Sequence, residues 1–408
     1  MRKLASIVTI SKLTPIENAD RLEVAEMVGK GWKVVVQKNE FAPFDRAVYF
    51  EIDSALPYDD ERYAFLRERC TRKMMVKGEV VHKVIRIKTV KLRGVVSQGL
   101  LIPLSNFDEI TRVMETVDGK DMFYNTVRIE SDDTKTVYEN RLEEVDGADV
   151  STLLNIEHFD EVVERYAPLE FRNPLSSDAY GRFPTDWIPR TDEERIQNLA
   201  EYFEKYAGHE FEVTSKDDGS SVTMFYSPRI DEENAFGVCS RNMRLKPISG
   251  DGTTPLPWRM AEKYTVCEKL KRFYEETGNE YAVQGELIGP GIQKNRDKYT
   301  DHEWHVFKVY DICAQRYLLP SERKEFCNSM GFQHVAVAHE ALDIFGQVNV
   351  KDEHGNIDIS ASMSAILKFA EGKTDRGFER EGFVFKSTTN PCISFKAVSN
   401  RYLLKQEE

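Results

Sequence analysis

Over residues 1–110, apolar and polar positions alternate with the two-residue period of half-buried strands. Residues 21–27 and 32–36 flank Gly29-Lys30-Gly31, a hairpin signature. Residues 47–52 read as a third strand. Residues 80–92 read as a fourth, with Val84, Ile85, Ile87 and Val90 set against Lys83, Arg86, Lys88 and Lys91. Residues 99–103 close the set, and five short strands in this span predict a small closed barrel. From 111 to 170 the pattern weakens, and only 151–166 predict a helix, on Leu153, Leu154, Ile156, Phe159, Val162 and Val163. Beyond Pro189 it sharpens. Thr191 with Glu194 has the form of a capping box and predicts a helix through Ile196, Leu199, Tyr202 and Phe203. Phe211 and Val213 predict a strand, residues 258–277 a single long helix, and 236–239, 281–287, 306–312, 381–386 and 394–396 further strands.

At 408 residues the chain is long enough for two or three domains, expected at 1–110, 111–170 and 171–408. Apolar content of 41% with 31% charged residues marks a globular protein. No apolar run approaches the ~20 residues of a membrane span, and the N-terminus shows no signal-peptide core. Six scattered cysteines without a Cys-x-x-Cys pair predict thiols in an intracellular setting, not secreted, with no zinc site. His302 and His305 read as ordinary surface or strand histidines.

The net charge of −13 argues against nonspecific nucleic-acid binding by the chain as a whole. It is unevenly spread. Ten Lys/Arg against two acids lie between Arg67 and Arg93, whereas 18 acids against six Lys/Arg lie between Leu101 and Glu170. The basic stretch is compatible with a phosphate backbone contacted by one face only, although charge alone favours a solvated strand pair, and the segment after it reads as an acidic connector.

Candidate chemistry begins at Lys216-Asp217-Asp218-Gly219. A lysine at a strand end, over a turn that glycine permits, with an acid two residues on, is the arrangement expected of a covalent nucleophile. Five elements follow in order: Ser240-Arg241-Asn242; the glycine-rich end of a strand at 285–293 containing Glu286; a strand centred on Phe307; a strand with Glu381 and Lys386 five apart; and Ser394-Phe395-Lys396. Taken singly, each has an ordinary structural reading. Phe307 would serve as a core phenylalanine, and Glu381 to Lys386 as an amphipathic strand.

The ordered set resembles the covalent-lysine nucleotidyltransferases, and most closely the ATP-dependent RNA ligases with an OB domain N-terminal to the adenylyltransferase domain. Residues 14–22 also resemble the start of OB domains of tRNA-binding proteins. The resemblance implies an α+β protein: an N-terminal OB-type β-barrel, then an adenylyltransferase domain of antiparallel sheets with flanking helices. It implies that Lys216 attacks the α-phosphorus of ATP, with Lys386 and Lys396 contacting that phosphate. It further implies that Arg241 steadies the ribose-phosphate end, Glu286 holds the ribose hydroxyls, Phe307 stacks on adenine, and Asp218 and Glu381 are the acids facing Mg²⁺ or Mn²⁺. Burial near other cations and a metal should depress the Lys216 pKa and free its lone pair. The expected substrate is RNA with 3′-hydroxyl and 5′-phosphate ends, as in a nicked duplex, and the expected state a monomer.

Two positions depart from the family pattern. Relatives often show Lys-x-Lys at the last motif, where this chain has Lys396-Ala397-Val398, leaving Lys386 or Lys405 to compensate. Ser215 stands where relatives often carry a glutamate that reads adenine. A DNA ligase or capping-type enzyme remains an alternative, although those usually place the barrel after the last motif. A nucleic-acid-binding OB protein with a degenerate nucleotidyltransferase domain is a second one.

Overall fold

The computed structural model describes residues 3–76, 79–131, 135–166 and 178–406, and it divides into two compact units, Met1–Arg172 and Asn173–Glu408. The boundary expected at 170 falls outside the described residues, as does the side chain of Lys405.

In the first unit a five-stranded antiparallel sheet runs in the order Leu100–Pro103, Arg46–Phe50, Ala5–Pro15, Leu22–Met27, Lys33–Gln37. A four-stranded sheet adds Ser54–Pro57 and Thr71–Val76, neither apparent from alternation, beside Glu79–Arg86 and Glu157–His158. The acidic segment contributes a three-stranded sheet, Glu115–Val117, Lys120–Ser131 and Lys135–Glu144. Its apolar residues Phe123, Val145, Val150, Leu154 and Ile156 join Ile7, Val48, Phe50 and Ile85 in one core. The helix expected over 151–166 forms only at Phe159–Tyr166. Asn155, at φ 55°, turns the chain before it, and Leu154 and Ile156 are buried from a turn instead.

The second unit holds two antiparallel sheets. One has seven strands in the order Ala179–Arg182, Met243–Leu245, Phe236–Cys239, Ser220–Tyr226, Tyr281–Ile288, Glu303–Asp311, Arg316–Tyr317. The other has four, Val337–Leu342, Phe211–Ser215, Gly382–Ser387 and Ser394–Val398. Phe211, Val213, Phe383, Phe385 and Phe395 form the core of the smaller sheet with the helices Ile344–Val348 and Ile359–Ala370. Apolar residues of the larger sheet pack on the helices Leu256–Lys263, Val266–Thr277 and Pro320–Met330.

Two helix expectations are corrected. Residues 258–277 form two helices, broken at Thr265, which has φ 51°. The break lets Met260 and Ala261 face the same core as Val266 and Leu270. Thr191 caps no helix. A short 3₁₀ turn occupies Ile196–Asn198, and an α-helix only Tyr202–Lys205. The Glu194 carbonyl accepts from the Lys396 amide at 2.8 Å, and Arg195 bridges Lys396 in parallel. Pairing with the Ser394–Val398 strand takes the backbone groups a helix would have used.

Candidate active site

Strand Phe211–Ser215 ends immediately before Lys216, whose amide donates to the Gly382 carbonyl at 3.1 Å. The chain then turns into strand Ser220–Tyr226, so Lys216 sits where one sheet hands the chain to the other. Gly219 is required here for space, not for a positive φ. A Cβ would fall on the Leu287 carbonyl oxygen and within 2.9 Å of Glu286 Cγ. Its N–H donates to Glu286 Oε1 at 3.1 Å, and its carbonyl accepts from Gln293 Nε2 at 3.3 Å.

Lys216 Nζ forms an ion pair with Glu381 Oε1 at 2.8 Å. Burial works to lower the lysine pKa, but the charges of Glu381, Glu286 and Asp218 outweigh it and raise it. The depressed pKa expected of the nucleophile is therefore not found in this resting arrangement. Glu381 and Asp218 hold the amine protonated, joined by Glu286 where it is ionised. The cost falls on the acids. Burial pushes Glu286 up to about 8 against the pull of Lys216, with Glu381 and Asp217 adding to the rise. Burial likewise raises Glu381, with Lys216 opposing.

The depressed amines are the other two. Lys396 lies across from Val384 in register and pairs with Asp192 Oδ1 at 2.6 Å. Burial lowers its pKa, Asp192 opposes, and Arg195 and Lys216 add to the fall. Lys396 is thus close enough to Lys216 for their charges to repel. Lys386 has other neighbours. Its side chain is buried, and its ammonium donates to the Phe307 carbonyl. Burial and the Arg323 charge lower its pKa well below the ordinary value, with Glu193 opposing. Lys386, on strand Gly382–Ser387, is therefore tied to the Phe307 carbonyl, while Lys396 lies nearer the nucleophile.

Phe307 is half-buried, with its ring centroid 6.0 Å from Lys386 Nζ. Its carbonyl accepts from Arg323 as well, at 3.4 Å. Arg323 in turn makes two hydrogen bonds, at 2.8 and 2.9 Å, to the fully buried Glu212. Arg241 stands on the exposed turn after Phe236–Cys239. The strand before it pairs Cys239 with Thr223, on the strand that follows the nucleophile turn. Asp218 faces Arg296, with Nε at 3.7 Å.

Sequence reading missed three further groups. Glu193 accepts from Lys308 Nζ at 2.6 Å and from the Ser394 hydroxyl. Burial raises its pKa, but Lys308 and Lys386 outweigh that, so it stays an anion. Asp192 pairs with Lys396, as above. His305, read as an ordinary histidine, is buried between Asp217 and Glu303. No spacing rule links residues 192, 193 or 305 to Lys216. The pairing of Glu194 and Arg195 with Lys396 places the first two, and strand Glu303–Asp311 places the third.

Glu381 Oε2 is buried without a hydrogen-bond partner, a hard oxygen beside Lys216 and Asp218. Among the described residues no three His, Cys, Asp or Glu side chains cluster as a metal site. The donor set fits an ion held by Glu381 and Asp218 that takes its other oxygens from water and substrate phosphate.

Residues 209–405 match the RNA ligase family model, and residues 4–104 match an OB-fold domain. Among solved structures the chain is similar to the RNA ligase of Naegleria gruberi. A glutamate-to-alanine variant of that protein with ATP and manganese aligns at 31% identity and TM-score 0.73, covering 100% of both chains. This chain belongs to the RNA ligase family. An aspartate-to-alanine variant in the apo state aligns with this RNA ligase at 30% identity and TM-score 0.74, over 100% of this chain and 98% of that one. A lysine-to-methionine variant with AMP and manganese aligns at 30% and 0.73, over 100% and 99%. Comparison with curated proteins returns no match. The ligase joins an N-terminal OB-fold domain to a sheet-rich domain with helices, and its substrate is RNA. Among the described residues no helix is long and apolar enough to cross a membrane.

Proposed function

We propose that this RNA ligase uses ATP, forms a covalent AMP adduct on Lys216, and seals 3′-hydroxyl to 5′-phosphate ends. The observation that carries this reading is the Lys216–Glu381 ion pair of 2.8 Å, with Asp218 of the same turn and Glu286 of strand Tyr281–Ile288 as the other acids whose charges reach the amine. That ATP and AMP occur with manganese in the Naegleria structures supports the same nucleotide here.

In the first step the Lys216 ammonium gives up a proton, for which Glu381 Oε1 is the nearest acceptor. The freed nitrogen forms a bond to the α-phosphorus as the bond to the bridging oxygen breaks and pyrophosphate leaves. Lys396 is placed to offset the negative charge that builds on the phosphate. A divalent cation held by Glu381 and Asp218 supplies charge that favours the neutral amine and polarises the phosphate. Glu286 faces the ribose, Phe307 offers its ring to adenine, and Arg241 reaches the phosphate end from the neighbouring turn. Lys386 supports the Phe307 strand. In the second step the 5′-phosphate of RNA takes AMP from Lys216. In the third a 3′-hydroxyl displaces AMP and closes the strand.

Residues 171–408 carry this chemistry, and 1–110 carry the basic stretch for the RNA backbone, with 111–170 between them. The family resemblance supports a nicked duplex as substrate and a monomer as the active form.

The test is incubation with Mg²⁺ and α-labelled ATP or GTP. Acid-stable label from ATP is expected, absent in Lys216→Ala, while that variant still seals a pre-adenylylated nick. Label from GTP alone, or wild-type labelling in Lys216→Ala, would overturn the reading.

A further inference from the structure

His305 takes no part in the steps above, yet its environment is built. Its Nδ1 lies 2.8 Å from Asp217 Oδ2 and its Nε2 2.9 Å from Glu303 Oε2. The residue is 7% exposed. An ionised carboxylate only accepts, and a neutral imidazole has one N–H, so two such bonds call for an imidazolium. Burial works to lower the His305 pKa, and the bonds and charges of Asp217 and Glu303 reverse this and raise it. Glu286 lies opposite in register, and the Tyr299 ring stands edge-on at 6.2 Å. Glu303 also accepts from Gln333 Nε2 at 3.3 Å.

Asp217 directly follows the nucleophile. The Lys216 amide, the Gly219 amide and the Gly219 carbonyl are tied to Gly382, Glu286 and Gln293, so the backbone of the turn is held at both ends. Between those ends, the Asp217 carboxylate is tied to the strand Glu303–Asp311 through His305. This bridge also neutralises a fourth acid beside a lysine that already faces three. An Asp217 charge left without its cation would be free to swing toward the ammonium and bind it away from the phosphate.

We propose that His305 is a positioning residue for the ligase nucleophile: the Asp217–His305–Glu303 bridge fixes the turn that aims Lys216 at the nucleotide. The proposal rests on Lys216 being the residue that takes AMP. Support of this kind changes rate more than nucleotide affinity, because it acts on the direction of attack.

The test uses the full chain with ATP and Mg²⁺ and measures single-turnover labelling, the ATP concentration at half-maximal rate, and thermal unfolding. His305→Ala is expected to slow labelling by about 10- to 100-fold, with half-saturating ATP moved by less than about threefold. Asp217→Asn should slow it similarly, and the double variant no further, since both changes remove the same Asp217–His305 ion pair. Glu303→Gln removes the charge from the outer half of the bridge at a more accessible site while keeping an acceptor, and should slow labelling to a smaller degree. If His305→Ala unfolds, Asp217→Asn and Glu303→Gln carry the test. In the wild-type protein, nitrogen-edited NMR should show both ring nitrogens still protonated above the ordinary histidine value of 6.5. Wild-type labelling in His305→Ala, losses that multiply in the double variant, or a raised half-saturating ATP at unchanged maximal rate would each overturn the proposal. Label surviving in Lys216→Ala would instead place the fault with the nucleophile.

Discussion

Lys216 Nζ and Glu381 Oε1 are 2.8 Å apart, and the second oxygen of that carboxylate is buried with no hydrogen-bond partner. One oxygen holds the nucleophile as an ammonium, and the other is left for a cation. Any cation bound there competes for the charge that keeps Lys216 protonated, which couples metal binding to activation of the amine.

Replacing Glu381 by Gln keeps the shape of this contact and removes its charge. Lysine-AMP formation should fall by about 100-fold or more, measured as labelling in a single turnover. Because Glu381 is the largest charge raising the Lys216 pKa, the residual reaction should shift its rate–pH curve toward lower pH. An unshifted curve would mean that Glu381 does not govern that proton.

Glu286 predicts a pH dependence of stability. Its folded pKa is raised from 4.5 to about 8, so the folded state binds the proton more tightly than the unfolded chain between those values. Its contribution to stability therefore declines as pH rises through that window. Glu286→Gln keeps an acceptor for the Gly219 amide but cannot ionise. Chemical denaturation should show it gaining on the wild-type protein from pH 4.5 toward pH 8, with the two closest at the acid end.

The Glu212–Arg323 pair is fully buried. Arg323→Ala leaves an uncompensated carboxylate and removes a donor to Phe307. A loss of about 3–5 kcal/mol is expected by urea titration, with a smaller loss when Glu212→Leu is added. A double variant as unstable as the single one would refute the charge argument.

Lys73, Lys91 and Arg93 are exposed members of the basic stretch in the first unit. Changing all three to Ala should weaken RNA binding and reduce its dependence on log salt by up to about three units, while labelling by ATP stays near wild type. Binding with an unchanged salt slope would locate the RNA elsewhere.

Much of the site was legible because its pieces are local. Lys216 and Gly219 share one turn, Glu286 and Phe307 mark strands by alternation, and the Glu381–Lys386 and Ser394–Lys396 segments are consecutive strands of one sheet. Residue type and order sufficed for these, because a strand's two-residue period fixes which side chains share a face. Thr191–Glu194 misled for the same local reason. Its helix-start pattern is real, but pairing with the Ser394–Val398 strand satisfied the same backbone groups.

The sequence alone determined the strand and turn around Lys216, the family and the residue types available for nucleotidyl transfer. Tertiary structure decided which charges meet: that Lys216 is held protonated by its acidic neighbours, that Lys386 donates to the Phe307 carbonyl while Lys396 and Lys216 repel, and that His305 bridges Asp217 to Glu303. The reason is physical. Strand patterning follows from neighbours along the chain, whereas a pKa follows from burial and from charges a few ångströms away, which sheet pairing brings in from residues up to 204 positions apart, as between Asp192 and Lys396.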